Sequence, residues 1–96
     1  MRNLFLVAYD VSDDRRLRML FKKMHAYGDP VQYSIFQCAL SPSERVVMTT
    51  AVREIINEKE DRVLIVNLGP VEGEGGDRMQ HIGRTSPLPV RAPVVV

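Results

Sequence analysis

An α+β fold, with one four-stranded antiparallel sheet and two helices on one of its faces, is predicted by three observations. Two apolar runs, at residues 4–9 and 63–68, have the composition of buried strands. Residues 13–27 and 41–57 repeat apolar side chains at helical spacing. Residues 31–40, between the two helices, alternate as a strand does. The 96 residues are enough for one small domain.

The first strand carries the leading candidate for chemistry. Its unbroken apolar run, residues 4–9, predicts a strand buried on both faces, and it ends at Asp10. Ser12 is predicted to be the N-cap of the following helix, with acidic residues 13–14 in its first turn. Asp10 would therefore be presented where a central strand leaves the sheet.

The first helix combines an apolar stripe with a basic surface. The stripe consists of Leu17, Leu20, Phe21 and Met24, and the basic residues are Arg15, Arg16, Arg18, Lys22 and Lys23. An ordinary solvated face and a phosphate-binding face both explain the basic residues. Gly28 is predicted to be a left-handed C-cap, and Pro30 prevents the helix from continuing.

The middle of the chain predicts a strand pair, a helix and a last strand. The alternation in residues 31–40 degrades at Phe36, so we expect a bend near residues 34–36 that splits the run in two. Residues 41–44, Ser-Pro-Ser-Glu, form a capping box for a helix that runs to about Asn57. Residues 63–68 are a second strand predicted to be buried on both faces.

Two regions follow from this order, a domain at residues 1–70 and a C-terminal extension at 71–96. In the extension, the acidic, glycine-rich residues 71–77 predict a loop, and residues 79–83 predict a short strand. The apolar residues 94–96 are expected to add to an open sheet edge, of their own chain or of a partner.

The order strand, helix, strand pair, helix, strand is that of two right-handed strand–helix–strand units. It predicts the ferredoxin-like βαββαβ plan. The open face of such a sheet needs a cover if it is apolar, and a second copy of the chain would provide one.

The bulk composition excludes several classes of protein. The net charge of +1 does not indicate a nucleic-acid-binding protein, although residues 1–42 and 78–96 are net positive and residues 43–77 net negative. The single Cys38 excludes an internal disulfide and a cysteine-based zinc site within one chain. We see no signal peptide or membrane span, so a reducing cytoplasm is the expected location.

One carboxylate per chain is too few to hold a catalytic metal firmly, and Mg²⁺ is usually held by one or two carboxylates with waters and phosphate oxygens. A two-fold dimer would supply Asp10 twice, so we expect a homodimer that shares Mg²⁺ at its axis.

Tyr9, Tyr33 and Phe36 could stack on bases, although core packing is the commoner role of strand aromatics. Ser34 could bind a metal-bound water or a phosphate, or be an ordinary strand serine.

Residues 9–14, Tyr-Asp-Val-Ser-Asp-Asp, and residues 31–36, Val-Gln-Tyr-Ser-Ile-Phe, together resemble a known family. This is the small CRISPR-associated endoribonuclease-like protein of the spacer-acquisition (adaptation) module. The resemblance implies a ferredoxin-like homodimer in which the final strand of one chain completes the sheet of the other. It also implies bridging of two integrase dimers along protospacer DNA. Some members cut single-stranded RNA or double-stranded DNA with Mg²⁺.

The resemblance also implies roles for single residues. Asp10 matches the metal-binding aspartate of the family, and Tyr9 its neighbour in the catalytic site. The nucleic-acid-binding residues of the family match Arg16, Arg18 and Phe36. Where some active members carry an arginine just before the second motif, this chain has Pro30, which removes a cationic group.

The sequence supports three hypotheses about the function of this chain. The first is an adaptation subunit that dimerises, binds DNA or RNA and bridges the integrase, with Mg²⁺-dependent endonuclease activity as an addition. The second is the same subunit acting only as a scaffold. The third is a ferredoxin-like regulatory or ligand-binding domain, because this fold supports many functions.

Overall fold

The computed structural model describes residues 1–73 and 75–84. Its elements are β1 (Asn3–Asp10), α1 (Asp14–Met24), β2 (Asp29–Gln32), β3 (Ile35–Leu40), α2 (Pro42–Ile55), β4 (Arg62–Pro70) and a 3₁₀ turn (Gly76–Arg78). The strands form one sheet in the order β2-β3-β1-β4, and all neighbouring strands are antiparallel. This confirms the predicted ferredoxin-like plan. The predicted terminal strand at residues 94–96 lies outside the described residues.

The core lies between one face of the sheet and the two helices. Alternate residues of β1 and β3 point into it, as the two-residue period of a strand requires. The buried residues are Phe5, Val7, Tyr9 and Val11, then Phe36, Cys38 and Leu40, with Leu20 and Met24 from α1 and Met48 and Val52 from α2. The helical stripes that the sequence predicts therefore cover one face only.

The opposite face of the sheet is apolar and has no second layer over it among the described residues. Residues Leu4, Leu6 and Ala8 of β1 are only half-buried. On β4, Leu64 is 62% exposed and Val66 is 37% exposed. The prediction that both strands are buried on both faces is therefore wrong within residues 1–73 and 75–84, because both helices pack on the other side.

The first helix begins and ends differently from the prediction. Asp13, rather than Ser12, is the N-cap, and its carboxylate accepts a hydrogen bond from the backbone N–H of Arg16 at 2.9 Å. The helix ends at Met24, before Gly28, which does not have a positive φ. Gly28 is needed for another reason: a Cβ there would collide with the backbone and side chain of β3.

The other local predictions have mixed outcomes. A turn at residues 33–34 separates β2 from β3, which confirms the split of that run. The capping box at Ser41 and Glu44 is confirmed, with both reciprocal hydrogen bonds present. Residues 79–83 do not form the predicted strand. None of the helices in residues 1–73 and 75–84 is long and apolar enough to cross a membrane.

Candidate nucleic-acid and metal site

Strand alternation places Tyr9 and Asp10 on opposite faces of the sheet. Tyr9 is 5% exposed and packs in the helix-covered core. Asp10 is exposed at the end of β1, in register with the uncovered face. The two predicted catalytic residues are neighbours in sequence, yet one chain does not bring their side chains to a common site.

Asp10 lies directly opposite Arg62 of β4 in the antiparallel register. The next pair on the same face is Ala8 with Leu64, so the acidic tip borders the apolar sheet surface. Within residues 1–73 and 75–84, no group of three or more His, Cys, Asp or Glu side chains is placed to hold a metal ion. A single chain therefore offers Asp10 as one carboxylate with an exposed arginine beside it.

A buried carboxylate, Asp61, lies just before β4 at this end of the sheet. Its side chain is fully buried and accepts five hydrogen bonds. The donors are the backbone N–H of Ser12 (3.0 Å) and its hydroxyl (3.2 Å), Nε (2.9 Å) and Nη2 (3.2 Å) of Arg16, and the backbone N–H of Asn57 (2.8 Å). Hydrogen bonding from Arg16 is the main reason that the pKa of Asp61 lies well below its ordinary value.

This network engages Arg16, which the resemblance assigns to nucleic-acid binding. Besides Asp61, its Nη2 donates to Glu60 at 3.1 Å, and only 24% of its side chain is exposed. The hydrogen bond to Asp61 also raises the pKa of the guanidinium. In the folded chain Arg16 anchors the start of α1 to the segment before β4, and a phosphate contact by Arg16 stays a prediction.

Sequence reasoning missed Asp61 altogether. Its partners Ser12 and Arg16 lie 49 and 45 residues away along the chain. A buried aspartate before a strand has the same sequence appearance as an exposed one, so a single sequence carries no signal for this pairing.

On the helix side, Tyr9 packs in an aromatic cluster. Its ring stacks on Phe36, with centroids 6.2 Å apart, and Phe36 also meets the edge of Phe21 at 5.6 Å. Phe36 is fully buried, so in one chain its ring has no free face for a base. The Tyr9 hydroxyl is buried and has no hydrogen-bond partner within residues 1–73 and 75–84. Burial, with a contribution from Tyr33, raises its pKa to about 12. A neutral phenol is therefore the form present near pH 7.

A groove of about 310 Å³ opens above this cluster. It is lined by Tyr9, Leu17, Arg18, Phe21 and Tyr33. Arg18, a predicted nucleic-acid contact, is exposed at this groove. Phe21, predicted as part of the buried stripe, is 38% exposed, and Tyr33 is 78% exposed at the turn.

Ser34 follows Tyr33 in the β2–β3 turn and contacts β1 through its backbone. Its carbonyl oxygen accepts a hydrogen bond from the backbone N–H of Tyr9 at 3.0 Å. The residue is half-buried. Its predicted role toward a phosphate or a metal-bound water stays a prediction.

Comparison with known proteins identifies the family. The family model described as CRISPR associated protein Cas2 matches residues 3–72. The CRISPR-associated endoribonuclease Cas2 of Geobacter sulfurreducens is 42% identical over 96 residues and covers both chains completely. The namesake from Thermus thermophilus is 38% identical over 85 residues, 86% of this chain and 89% of the relative.

Solved structures agree with this assignment. The crystal structure of Streptococcus pyogenes Cas2 superposes with a TM-score of 0.72 at 33% identity, covering 83% of this chain and 99% of that one. A Thermus thermophilus protein described as hypothetical protein TT1823 superposes with a TM-score of 0.76 at 27% identity, covering 92% and 99%. The chain belongs to the CRISPR-associated Cas2 family.

Proposed function

We propose that this chain is a subunit of the CRISPR adaptation machinery that works as a homodimer, binds DNA or RNA and bridges the integrase. The observation that carries the proposal is the uncovered apolar face of the sheet, which borders Asp10. Leu64 and Val66 expose large apolar side chains on this face. Exposed apolar surface of this kind usually marks an interaction site.

A two-fold axis through this face would place the same apolar patch of two copies together. Asp10 is in register with that face, so the axis would also bring its two copies toward each other. β4 is an edge strand in the described sheet, where it pairs with β1 alone. That free edge supports the expectation that a terminal strand of the partner, residues 94–96, adds to it.

Asp10 fits a divalent metal by its chemistry. It offers exposed carboxylate oxygens, which are hard ligands of the kind that Mg²⁺ takes together with waters and phosphate oxygens. A bound Mg²⁺ would supply an activated water and neutralise phosphate charge. Arg62, directly opposite Asp10, would hold the phosphate next to that carboxylate.

Metal-dependent cutting of RNA or DNA is a second candidate function. It is favoured by the exposed Asp10 and by relatives that are named endoribonucleases. Pro30, which forms part of β2, supplies no cation and favours the scaffold-only alternative. The two functions share the dimer and differ only in whether Asp10 supports cleavage.

The dimer is tested by placing a charged side chain on the apolar face of the sheet. Leu64→Lys should convert the dimer to a monomer, measured by sedimentation velocity, because it places a charge in the proposed interface. Val46→Lys is the matched control, since Val46 is 65% exposed on α2, away from the uncovered face. A wild-type chain that is monomeric at all concentrations would overturn the proposal.

Cleavage is tested separately with Asp10→Ala. If Asp10 supports cutting, the variant should lose metal-dependent cleavage of single-stranded RNA and duplex DNA while it retains dimerisation. A preparation of Leu64→Lys should lose the same activity for lack of a second Asp10. Cleavage that persists in both variants would contradict a site shared between two copies.

A further inference from the structure

We propose that the groove between α1 and the β2–β3 turn is a pocket for one unstacked nucleobase of a single-stranded nucleic acid, which stacks against the exposed rings of Phe21 and Tyr33 with its phosphate at Arg18. The inference rests on the proposed nucleic-acid binding and assigns it a second, base-contacting site. This groove is separate from the uncovered sheet face that carries Asp10, because it lies on the helix side.

The first argument is the exposure of the aromatic rings. Tyr33 stands 78% exposed at the tip of the turn, and an apolar ring there gains little from the core. Its ring is nearly parallel to that of Phe21, at 23° with a centroid separation of 6.5 Å. Exposed, near-parallel aromatic rings are the platforms on which bases of single strands stack, and stacking tolerates any base.

The second argument is charge. Arg18 lines the groove, and Arg15 and Lys22 lie one turn away on either side of it on α1. Residues three and four apart share one side of a helix. All three side chains are exposed, so they form a row of cations beside the aromatic rings that suits a phosphate backbone. Asp14, in the first turn, lies next to Arg15 and four residues before Arg18, and it reduces this charge at the N-terminal half of the row.

The third argument distinguishes a nucleotide from an apolar side chain of a protein partner. Arg18 lines the groove together with the two exposed aromatic rings. A nucleotide brings a phosphate for Arg18 together with a flat base for the rings, whereas an aliphatic or phenylalanine side chain brings no negative charge.

The experiment compares a labelled single-stranded RNA of about ten nucleotides with an abasic strand of the same phosphate count. Fluorescence anisotropy is measured with the full chain in EDTA, so that no cutting occurs. Wild type should bind the base-bearing strand roughly ten-fold more tightly than the abasic one, since stacking adds to phosphate contact. Tyr33→Ala should abolish this preference, while its affinity for the abasic strand stays the same.

Two variants act as controls. Tyr33→Phe retains the ring and should keep the preference. Ile82→Ala removes another large apolar side chain, 89% exposed and outside the groove lining, and should also keep it. Arg18→Ala should weaken the binding of the base-bearing and abasic strands about equally, because it removes a phosphate contact.

The outcomes separate this inference from the proposed function. Equal affinity for base-bearing and abasic strands, with binding of both, would overturn the pocket and leave nucleic-acid binding intact. If neither the single strands nor a duplex binds at low salt, both the base pocket and the proposed nucleic-acid binding are overturned. Tyr33-dependent binding of a phenylalanine-containing peptide, without any base preference, would assign the groove to a protein partner and overturn the proposal.

Discussion

Arg16 donates to both carboxylate oxygens of Asp61, from Nε to Oδ2 at 2.9 Å and from Nη2 to Oδ1 at 3.2 Å. This paired geometry joins α1 to the segment that precedes β4. The same carboxylate also binds the backbone of Ser12, two residues after Asp10. The chain that leaves β1 at the acidic tip is therefore fixed to the start of β4, the strand that presents Arg62.

Asp61→Asn should destabilise the protein in a pH-dependent manner. The pKa of Asp61 is lowered from its ordinary 3.8 in the folded state, chiefly by Arg16. Its stabilising contribution is therefore fully present above that ordinary value and is lost as the pH falls through the lower, folded pKa. We expect the difference in urea midpoint between wild type and variant to be largest near neutral pH and to shrink below about pH 4.

Glu60→Gln is the matched control for that measurement. Glu60 contacts the same arginine, but 57% of its side chain is exposed, and exposed ion pairs contribute little. Its urea midpoint should stay close to that of wild type at every pH. A difference for Asp61→Asn that is constant from neutral pH down to pH 3 would show that the lost contribution is not that of an ionised carboxylate.

Tyr9→Phe should stabilise the free protein. The Tyr9 hydroxyl is buried without a hydrogen-bond partner in the part of the chain that the structure describes, and its removal takes away a desolvated polar group while the ring remains stacked on Phe36. The expected gain is about 1 kcal/mol in the free energy of unfolding, measured by urea denaturation. Tyr33→Phe removes a hydroxyl from an exposed ring and should change stability by less than about 0.5 kcal/mol. A loss of stability in Tyr9→Phe would mean that the hydroxyl has a partner in solution.

Gly28→Ala should destabilise the fold by about 1–3 kcal/mol. A Cβ at this position would collide with the carbonyl group of Gln37 and the Sγ of Cys38, so the hairpin or α1 would have to move. Gly76→Ala is the control, because a Cβ there meets no atom within 4 Å and the residue has no positive φ. Equal thermal midpoints for the two variants would contradict the close approach.

Local signals in the sequence were sufficient for most of the fold. The capping box at Ser41 acts within four residues, and strand alternation needs only neighbouring positions, so both are readable from a single chain. Helical periodicity predicts which side of α1 carries Phe21. It does not predict how exposed the Phe21 side chain is, because that depends on how far the β2–β3 turn reaches over α1. The prediction of a left-handed C-cap at Gly28 is wrong for a related reason: glycine is required there because β3 packs against it, and not because of the helix before it.

The candidate site was predictable only in part. The position of Asp10 could be predicted because an apolar run ends there. That Arg62 lies opposite it could not, because this pairing depends on the β1–β4 register. Asp61 could not be found, since four of its five hydrogen bonds come from Ser12 and Arg16, 49 and 45 positions away, and only that from Asn57 is local. Long-range pairing of this kind is set by topology, and one sequence without relatives does not contain it.

Arg62→Ala should weaken nucleic-acid binding and reduce its salt dependence. Arg62 is exposed and directly opposite Asp10, so we expect it to contact one phosphate of the bound backbone. Loss of one such contact should lower the slope of log affinity against log salt by about 1, measured by titrating duplex DNA at several salt concentrations. Arg53→Ala is the matched control, since Arg53 lies on α2 with 66% of its side chain exposed and Glu58 at 3.6 Å. Identical slopes for the two variants would place the bound backbone away from the acidic tip of β1, and with it any metal held by Asp10.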